Sequence, residues 1–432
     1  MYRRFLIFCA KVLIGILRKT GSSGSALPGL IMERLYPSFL SRVLQPVEKQ
    51  IILVTGTNGK TTTTKMIVAA LRGSGKRVVT NGSGSNMTRG LIAALVDDMT
   101  YFGQLKDTDW FVFEMDEAYA PLFTLHMSPK AVVALNVLRD QLDRYGEIDT
   151  TAQMILQAAG QADLYIYNSL DPLLAGPAAD LESSGMRCVS YGVAKPLLKS
   201  VINEQTIHGQ TSTSGSPASN VLLMSFDEID HKLIVTLRLG DDSPDGKLQT
   251  SIPLQGFHNA LNAAAVGALL QTIVPECVVS GFKAISTMET PFGRGERLHL
   301  ADKNVSVALV KNPSGFTSNL LTFVQSNPPE IVLFVVNDNF ADGRDISWLW
   351  DVEFRDKIAG TTTIYTSGSR GYDMALRLKH DGYDAQCILN VQEAIDKLFT
   401  LKVCDIVVIP TYTALFEVRS ALAKYGKVAR IW

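Results

Sequence analysis

Hydrophobic positions in this chain fall into short runs whose period changes along its length. From Gln50 to Asn168 the runs QIILVTG, RVVTNG, DWFVFEMD, AVVALNV and ADLYIYN are rich in β-branched and aromatic residues. Gly, Asn or Asp bounds most of them, which predicts short buried strands. Between them TTTTKMIVAALRGSG, GLIAALVDDM and TTAQMILQAAGQ carry helical spacing, the first ending in glycine. Alternating strands and helices predict a parallel sheet covered on both faces.

After Ser190–Gly192 the texture changes. TIHGQTSTSGSPASN reads as loop, and VLLMSFDEIDHKLIVTLRLG and KLQTSIPL read as an antiparallel patch. GFHNALNAAAVGALLQTI returns to helix. A second α/β block follows His299, with strand-like VSVALVKN, EIVLFVVN, TTIYTSG, AQCILN and CDIVVIP around helix-like GYDMALRLKHDG and VQEAIDKLF. The expected fold class is therefore α/β. An N-terminal helical segment (1–46) leads into a central domain with a parallel sheet (47–298) that carries a β-rich insert at about 193–250. A C-terminal Rossmann-like domain (299–432) follows, with the boundary near Arg297–Leu300.

At the start of the chain, MYRR precedes the apolar run FLIFCAKVLIGIL, and RKTGSSGSA follows it. The order is that of a signal peptide, but Lys11 interrupts the run and Arg18 and Lys19 close it. Thirteen helical residues span only about 20 Å, short of the roughly 30 Å hydrocarbon core of a bilayer. Two readings stay open: a short helix packed on the next domain, or one touching an anionic membrane surface.

Composition narrows the classes. At 46% hydrophobic and 19% charged, 432 residues can build a full core, and a net charge of −1 gives no general reason to bind nucleic acid. Cys9, Cys188, Cys277, Cys387 and Cys404 lie far apart with no C-x-x-C, so neither a zinc ribbon nor a disulfide framework is indicated and a reducing cytoplasm fits. Their apolar neighbours place them in the core.

The most informative stretch is GTNGKTTTTK, which follows a strand and opens a helix. Gly56 and Gly59 let backbone N–H groups approach phosphate, and the helix N-terminus favours the anion. Gly56, Thr57, Asn58, Gly59, Lys60, Thr61 and Thr62 form the expected nucleotide contact, with Lys60 reaching the β/γ-phosphates and the Thr61 hydroxyl a ligand for Mg²⁺. Val54 occupies the first glycine position of the longer phosphate-loop pattern, so the loop is G-x-x-G-K-T. DWFVFEMDEA ends a strand with Glu114, Asp116 and Glu117; a carboxylate there faces the ligand crevice, and Glu114 is the first candidate for Mg²⁺. NVLRDQLDRYGEID, also after a strand, suggests a second loop lining the site.

GTNGKT, Glu114, GFHNALNAAA and FGRGERL occur in the order found in Mur ligases, and the chain resembles that family. NGSGSNMTRG, EMDEA, NVLRDQLDRYGEID, KNPSGF, NDNFADGRDISWLWD and TSGSR, spread from Leu53 to Thr413, make it most similar to the MurT group of synthetase subunits. The resemblance implies a Mur ligase-like central ATPase domain, closed by the C-terminal domain, working with a GatD-like glutaminase. Together such pairs amidate the α-carboxylate of D-glutamate in the lipid II stem, using ATP, Mg²⁺ and glutamine, by way of an acyl phosphate. By the same resemblance Lys60 and Thr61 belong to the phosphate loop, Glu114 to the metal, and Asn259 to the nucleotide base. Arg294 reaches the nucleotide from the hinge side. Asn312 stands where many Mur ligases carry an aspartate near the ribose, and Gln141 where others carry a metal-binding histidine. Many MurT proteins carry a four-cysteine zinc ribbon inserted in the central domain; the stretch TIHGQTSTSGSPASN that stands in that region here has no cysteine, and no zinc is expected.

Releasing ammonia from glutamine needs an activated thiolate beside a histidine. None of the six histidines is close in sequence to a cysteine, which agrees with a separate glutaminase. The resemblance assigns Asp345, in ADGRDISWLWD, as the acid that completes the partner's Cys–His pair, with Trp348 and Trp350 as interface anchors. From the residues alone, the better reading is an Asp345 that caps a helix starting at Ser347, with both tryptophans in the core; the resemblance reverses that preference. Two other functions share these motifs: a Mur- or folylpolyglutamate-type ligase that adds an amino acid to a carboxylate, and a nucleotide-gated scaffold.

Overall fold

A computed structural model describes residues 2–19, 26–81, 88–139, 148–201, 219–240, 246–289 and 293–428. Two sheets organise them. The first holds β1 (Ile51–Thr55), β2 (Val78–Thr80), β3 (Trp110–Glu114), β4 (Ala131–Ala134), β5 (Leu164–Asn168), β6 (Arg187–Val193), β7 (Val221–Ile229), β8 (Lys232–Leu239) and β9 (Lys247–Ile252), in the spatial order β2-β3-β1-β4-β5-β6-β7-β8-β9. β1 to β7 pair in parallel. β8 and β9 are antiparallel additions. The expected antiparallel patch is thus present, but as a continuation of the central sheet, joined through β6 and β7. Its β7–β8 hairpin turns on Asp230 and His231, both at positive φ, which the twist of a two-residue hairpin favours.

β1 is buried along all five residues because helices cover both faces. Ile52 and Val54 face the helices Lys60–Gly73 and Phe257–Ile273, while Ile51 and Leu53 face the opposite layer. That second layer includes the helices Thr88–Asp98 and Ile148–Ala159 and the N-terminal helices Tyr2–Lys19 and Ala26–Leu35. The first helix is longer than its thirteen-residue apolar run. Leu6, Ile7 and Ala10 bury one of its faces, and Lys11 donates to the carbonyls of Val96, Asp97 and Met99 at the end of the Thr88–Asp98 helix. The interrupting lysine is therefore a fastening point. No described helix is long and apolar enough to cross a membrane.

The second sheet holds β10 (Arg294–Leu300), β11 (Lys303–Ala308), β12 (Ile331–Val335), β13 (Thr363–Ser367), β14 (Gln386–Cys387) and β15 (Asp405–Pro410), in the order β10-β11-β15-β12-β13-β14. β10 and β11 form an antiparallel hairpin and the rest are parallel. In terms of sheets the change-over lies before Arg294, because β10 already belongs to the second sheet. The cysteines depart from expectation: Cys277 is buried, whereas Cys9 and Cys404 are exposed at a helix surface and a strand entrance.

Candidate active site

β1 ends at the point where the strand order reverses, with β3 on one side and β4 on the other, and the ligand crevice of such sheets opens there. The loop Gly56–Gly59 leaves β1 and enters the Lys60–Gly73 helix, whose first-turn N–H groups have no acceptor within the helix. Gly56 takes φ +125° and Gly59 φ +90°. A Cβ on Gly56 would meet Asn136 O at 2.9 Å, and one on Gly59 would meet Asn262 Oδ1 at 2.8 Å. Backbone atoms therefore require glycine at 56 by space as well as by backbone angle, whereas at 59 the backbone angle is the requirement, since only a side-chain amide crowds it. The segment after β4 pins the loop. Thr57 N donates to Asn136 O at 2.9 Å, Asn58 N to Asn136 Oδ1 at 2.8 Å, and Asn136 Nδ2 to Asn58 O at 3.0 Å.

The three acids after β3 divide between two loop residues. Thr61 Oγ1 donates to Glu114 Oε1 at 2.9 Å. Adjacent oxygens around an octahedral Mg²⁺, with bonds of about 2.1 Å, are separated by a similar span, so the pair suits two neighbouring positions on such an ion. Asn81 holds Glu114 from behind, exchanging hydrogen bonds with its backbone N–H at 2.9 Å and its carbonyl at 2.7 Å. Among the described residues no three His, Cys, Asp or Glu side chains are placed to hold one metal ion together, so water and phosphate would have to supply the remaining positions.

Lys60 lies across the loop, donating to Gly56 O at 2.6 Å and to Glu117 Oε2 at 3.0 Å. Burial works against its ammonium, but the Glu117, Asp116 and Glu114 carboxylates outweigh that and hold it above the ordinary lysine value. Burial lifts the Glu117 carboxyl above its usual range; Lys60 opposes this, Asp116 reinforces it, and the net direction is up. A phosphate entering the loop would compete with Gly56 O and Glu117 for a lysine that is already charged.

Between the loop and the second sheet lies a cavity of about 360 Å³, lined among others by Gly59, Thr62, Tyr191, Phe226, His258 and Asn259. Asn259 is buried, donating to Gln255 O at 2.7 Å. Ser318 Oγ and His258 Nδ1 are 2.7 Å apart across the cavity wall. From the second sheet Asn312 caps the Pro313–Asn319 helix, accepting from Gly315 N at 2.9 Å, and its amide meets the amide of Asn58. Asn58 Nδ2 also donates to Ser314 Oγ at 2.8 Å. The structure thus brings Gly56 to Thr62, Glu114, Asn259 and Asn312 to one crevice. The Arg294 side chain and Gln141 lie outside the described residues, as do the middle of NGSGSNMTRG and most of TIHGQTSTSGSPASN.

Asp345 is elsewhere, on the exposed loop after β12. It precedes the short Ser347–Asp351 helix and accepts from Ser347 N at 2.8 Å and Ser347 Oγ at 2.9 Å, while Ile346 holds the N-cap position. The two tryptophans separate. Trp348 is buried against Phe316, so it is a core residue of this chain and not an exposed anchor. Trp350 is half exposed, with the Arg377 guanidinium 5.4 Å from its ring and His380 beside it. Sequence reasoning missed Asn81 and the pairing of Glu117 with Lys60. An asparagine directly after β2, and three acids within four residues, were the available signals.

Residues 54–270 match the model of the Mur ligase middle domain, and residues 309–415 match the MurT ligase C-terminal domain. The chain is 29% identical, over 93% of its length and 92% of the relative's, to the lipid II isoglutaminyl synthase (glutamine-hydrolyzing) subunit MurT of Streptococcus pneumoniae. It is 27% identical to the protein of the same name from Staphylococcus aureus, covering 95% of each. Among solved structures, the MurF ligase of Thermotoga maritima in complex with ADP superposes with a TM-score of 0.67 at 14% identity, over 91% of this chain and 84% of that one.

Proposed function

The chain belongs to the Mur ligase family, and from that premise we propose that it is the synthetase subunit of a glutamine-hydrolysing lipid II isoglutaminyl synthase. The observation that carries the reading is the joining of a Mur-type nucleotide loop to a MurT-type C-terminal domain across the Asn58–Asn312 contact.

The α-carboxylate of D-glutamate in the lipid II stem attacks the γ-phosphorus of ATP, and ADP leaves. Ammonia then attacks the acyl carbon of the mixed anhydride, loses a proton, and phosphate departs with the bonding pair. The first step needs positioning and charge stabilisation. The glycine loop and helix N-terminus hold the phosphates, and Lys60 supplies a fixed positive charge. Thr61 and Glu114 would hold Mg²⁺, which when bound neutralises phosphate charge. Asn259 lines the cavity beside the loop, and the family resemblance assigns Arg294 to the nucleotide as well.

Ammonia comes from a separate GatD-like glutaminase, and two features of this chain support that division. Burial, reinforced by Glu182, pushes the Cys188 thiol up to about 11, the opposite of an activated nucleophile. Asp345 is exposed, and its oxygens retain acceptor capacity beyond their bonds to Ser347, so it can orient a histidine on another chain. We place this work in the cytoplasm, at the inner face of the membrane. The test is to supply ATP, Mg²⁺ and lipid II with either glutamine or ammonium. The chain alone should use only ammonium; unaided use of glutamine would refute the division of labour.

A further inference from the structure

The N-terminal helix Tyr2–Lys19 is apolar on two faces, and the body of the protein covers one. Leu6, Ile7 and Ala10 are buried, whereas Tyr2, Phe5, Phe8 and Val12 are exposed, Phe5 by 62%. The neighbouring helix repeats the pattern: Leu27, Ile31 and Leu35, four residues apart, are all exposed. A third element joins them. The Phe8 and Tyr101 rings lie 6.0 Å apart, and next to Tyr101 the side chain of Phe102 is 73% exposed. Three elements therefore present large apolar side chains outward, a feature that soluble surfaces ordinarily avoid.

Charge identifies what covers this surface. The first 46 residues hold seven Lys/Arg and a single acid, Glu33, while the whole chain holds 41 and 42, so the remainder is net acidic. Glu33 is engaged by Arg89 at 2.9 Å. Arg3, Arg4, Arg34 and Arg42 are exposed around the apolar side chains. Lys11 fastens the helix to the body, which holds the exposed face in a fixed direction.

We propose that this surface docks the protein in the plane of an anionic phospholipid bilayer, with the aromatic and aliphatic side chains entering the headgroup boundary and the arginines meeting lipid phosphates. An exposed apolar face ringed by cations suits an anionic interface, and the helix, about 27 Å long, lies on the bilayer without spanning it. The inference stands on this surface alone and not on the reading of the nucleotide site.

The test is flotation of the full chain with vesicles of phosphatidylcholine, with or without one-quarter phosphatidylglycerol. Anionic vesicles should carry at least about tenfold more protein than neutral ones, and salt should weaken the binding. The double variant F5S/V12S should lose about tenfold or more of it, with melting temperature and ATP turnover in solution unchanged. If that variant melts early, Phe5→Trp serves instead: its fluorescence should shift to the blue and be quenched by brominated lipid. Equal flotation on both vesicles, binding that survives F5S/V12S, or no lipid quenching of Phe5→Trp would overturn the proposal. So would a dimer in solution that F5S/V12S dissolves without any vesicle binding, since a second copy would then be the occupant.

Discussion

The side-chain amides of Asn58 and Asn312 exchange hydrogen bonds between the phosphate loop and the second sheet, at 3.3 Å from Asn58 Nδ2 and 3.1 Å from Asn312 Nδ2. Asn312 does two things at once, since the same Oδ1 caps the helix that follows it. Substitution separates them. Asn312→Ser keeps a capping oxygen, but its shorter side chain no longer carries a donor out to Asn58 while it caps. It should melt close to wild type while raising KM for ATP by about 2- to 10-fold, the worth of one net hydrogen bond. Asn312→Ala should show the same KM effect and also lose about 1 kcal/mol of stability. Steady-state kinetics and thermal melts check both; an unchanged KM in both variants would remove the clasp from the account.

Lys60 and Glu114 should fail differently. Lys60→Ala removes the fixed charge at the phosphates and should lower kcat by about 100-fold or more, an effect of the size seen when one preorganised donor is lost. Glu114→Gln keeps the hydrogen bond to Thr61 but removes the carboxylate proposed for Mg²⁺. It should raise the Mg²⁺ concentration needed for half-maximal turnover, and added Mg²⁺ should recover part of the rate. Titrating Mg²⁺ for each variant distinguishes them, and rescue of Lys60→Ala by Mg²⁺ would contradict the assignment.

Asp345→Asn tests the loan of an acid to another chain's site. Glutamine-dependent amidation should fall by at least about tenfold, since the histidine proposed on the partner would lose its orienting charge. The ammonium-dependent reaction of the same preparation should be unaffected. Because Asp345 also accepts two hydrogen bonds from Ser347 at the start of the Ser347–Asp351 helix, a melt should accompany the assay. Equal loss of both reactions would place Asp345 in the nucleotide site instead.

Acid stability should depend on Asp381. Burial pushes its carboxyl up, but Arg377, 3.0 Å away, and the Phe354 N–H outweigh this, and the net direction is below the usual aspartate value. A carboxyl whose folded-state value is depressed contributes stability above its unfolded-state value, and that contribution is lost as pH falls through the folded-state value. Melts should therefore fall more steeply for wild type than for Asp381→Asn as pH drops from about 5 to about 3. Parallel curves would mean that the pair contributes nothing.

Most strands and the phosphate loop were legible because their signals are local. IILVT and IVLFV are apolar from end to end, and GTNGKT sits between a strand and a helix. RCVSYGV and RGERLHL were not read as strands, because Gly192, Arg294, Glu296 and Arg297 break the apolar pattern and only pairing partners make them β. The continuity of the antiparallel patch with the main sheet was equally hidden, since it rests on β6 meeting β7. At the site, Thr61 with Glu114 followed from a strand-end carboxylate facing a loop. The clasp of Asn58 on Asn312 joins residues 254 apart in sequence, a relationship that no local pattern encodes. The fates of Trp348 and Trp350 likewise depended on which side of a short helix each occupies.

The central claim is that this chain spends ATP to convert a carboxylate to an amide. The direct measurement is the mass of the lipid II stem after incubation with the chain, ATP, Mg²⁺ and ammonium, released by mild hydrolysis. The account predicts a stem lighter by the difference between OH and NH₂, with one ADP formed per amide. A stem heavier by a whole amino-acid residue when amino acids are supplied, or ADP formed with no change in the stem, would contradict it.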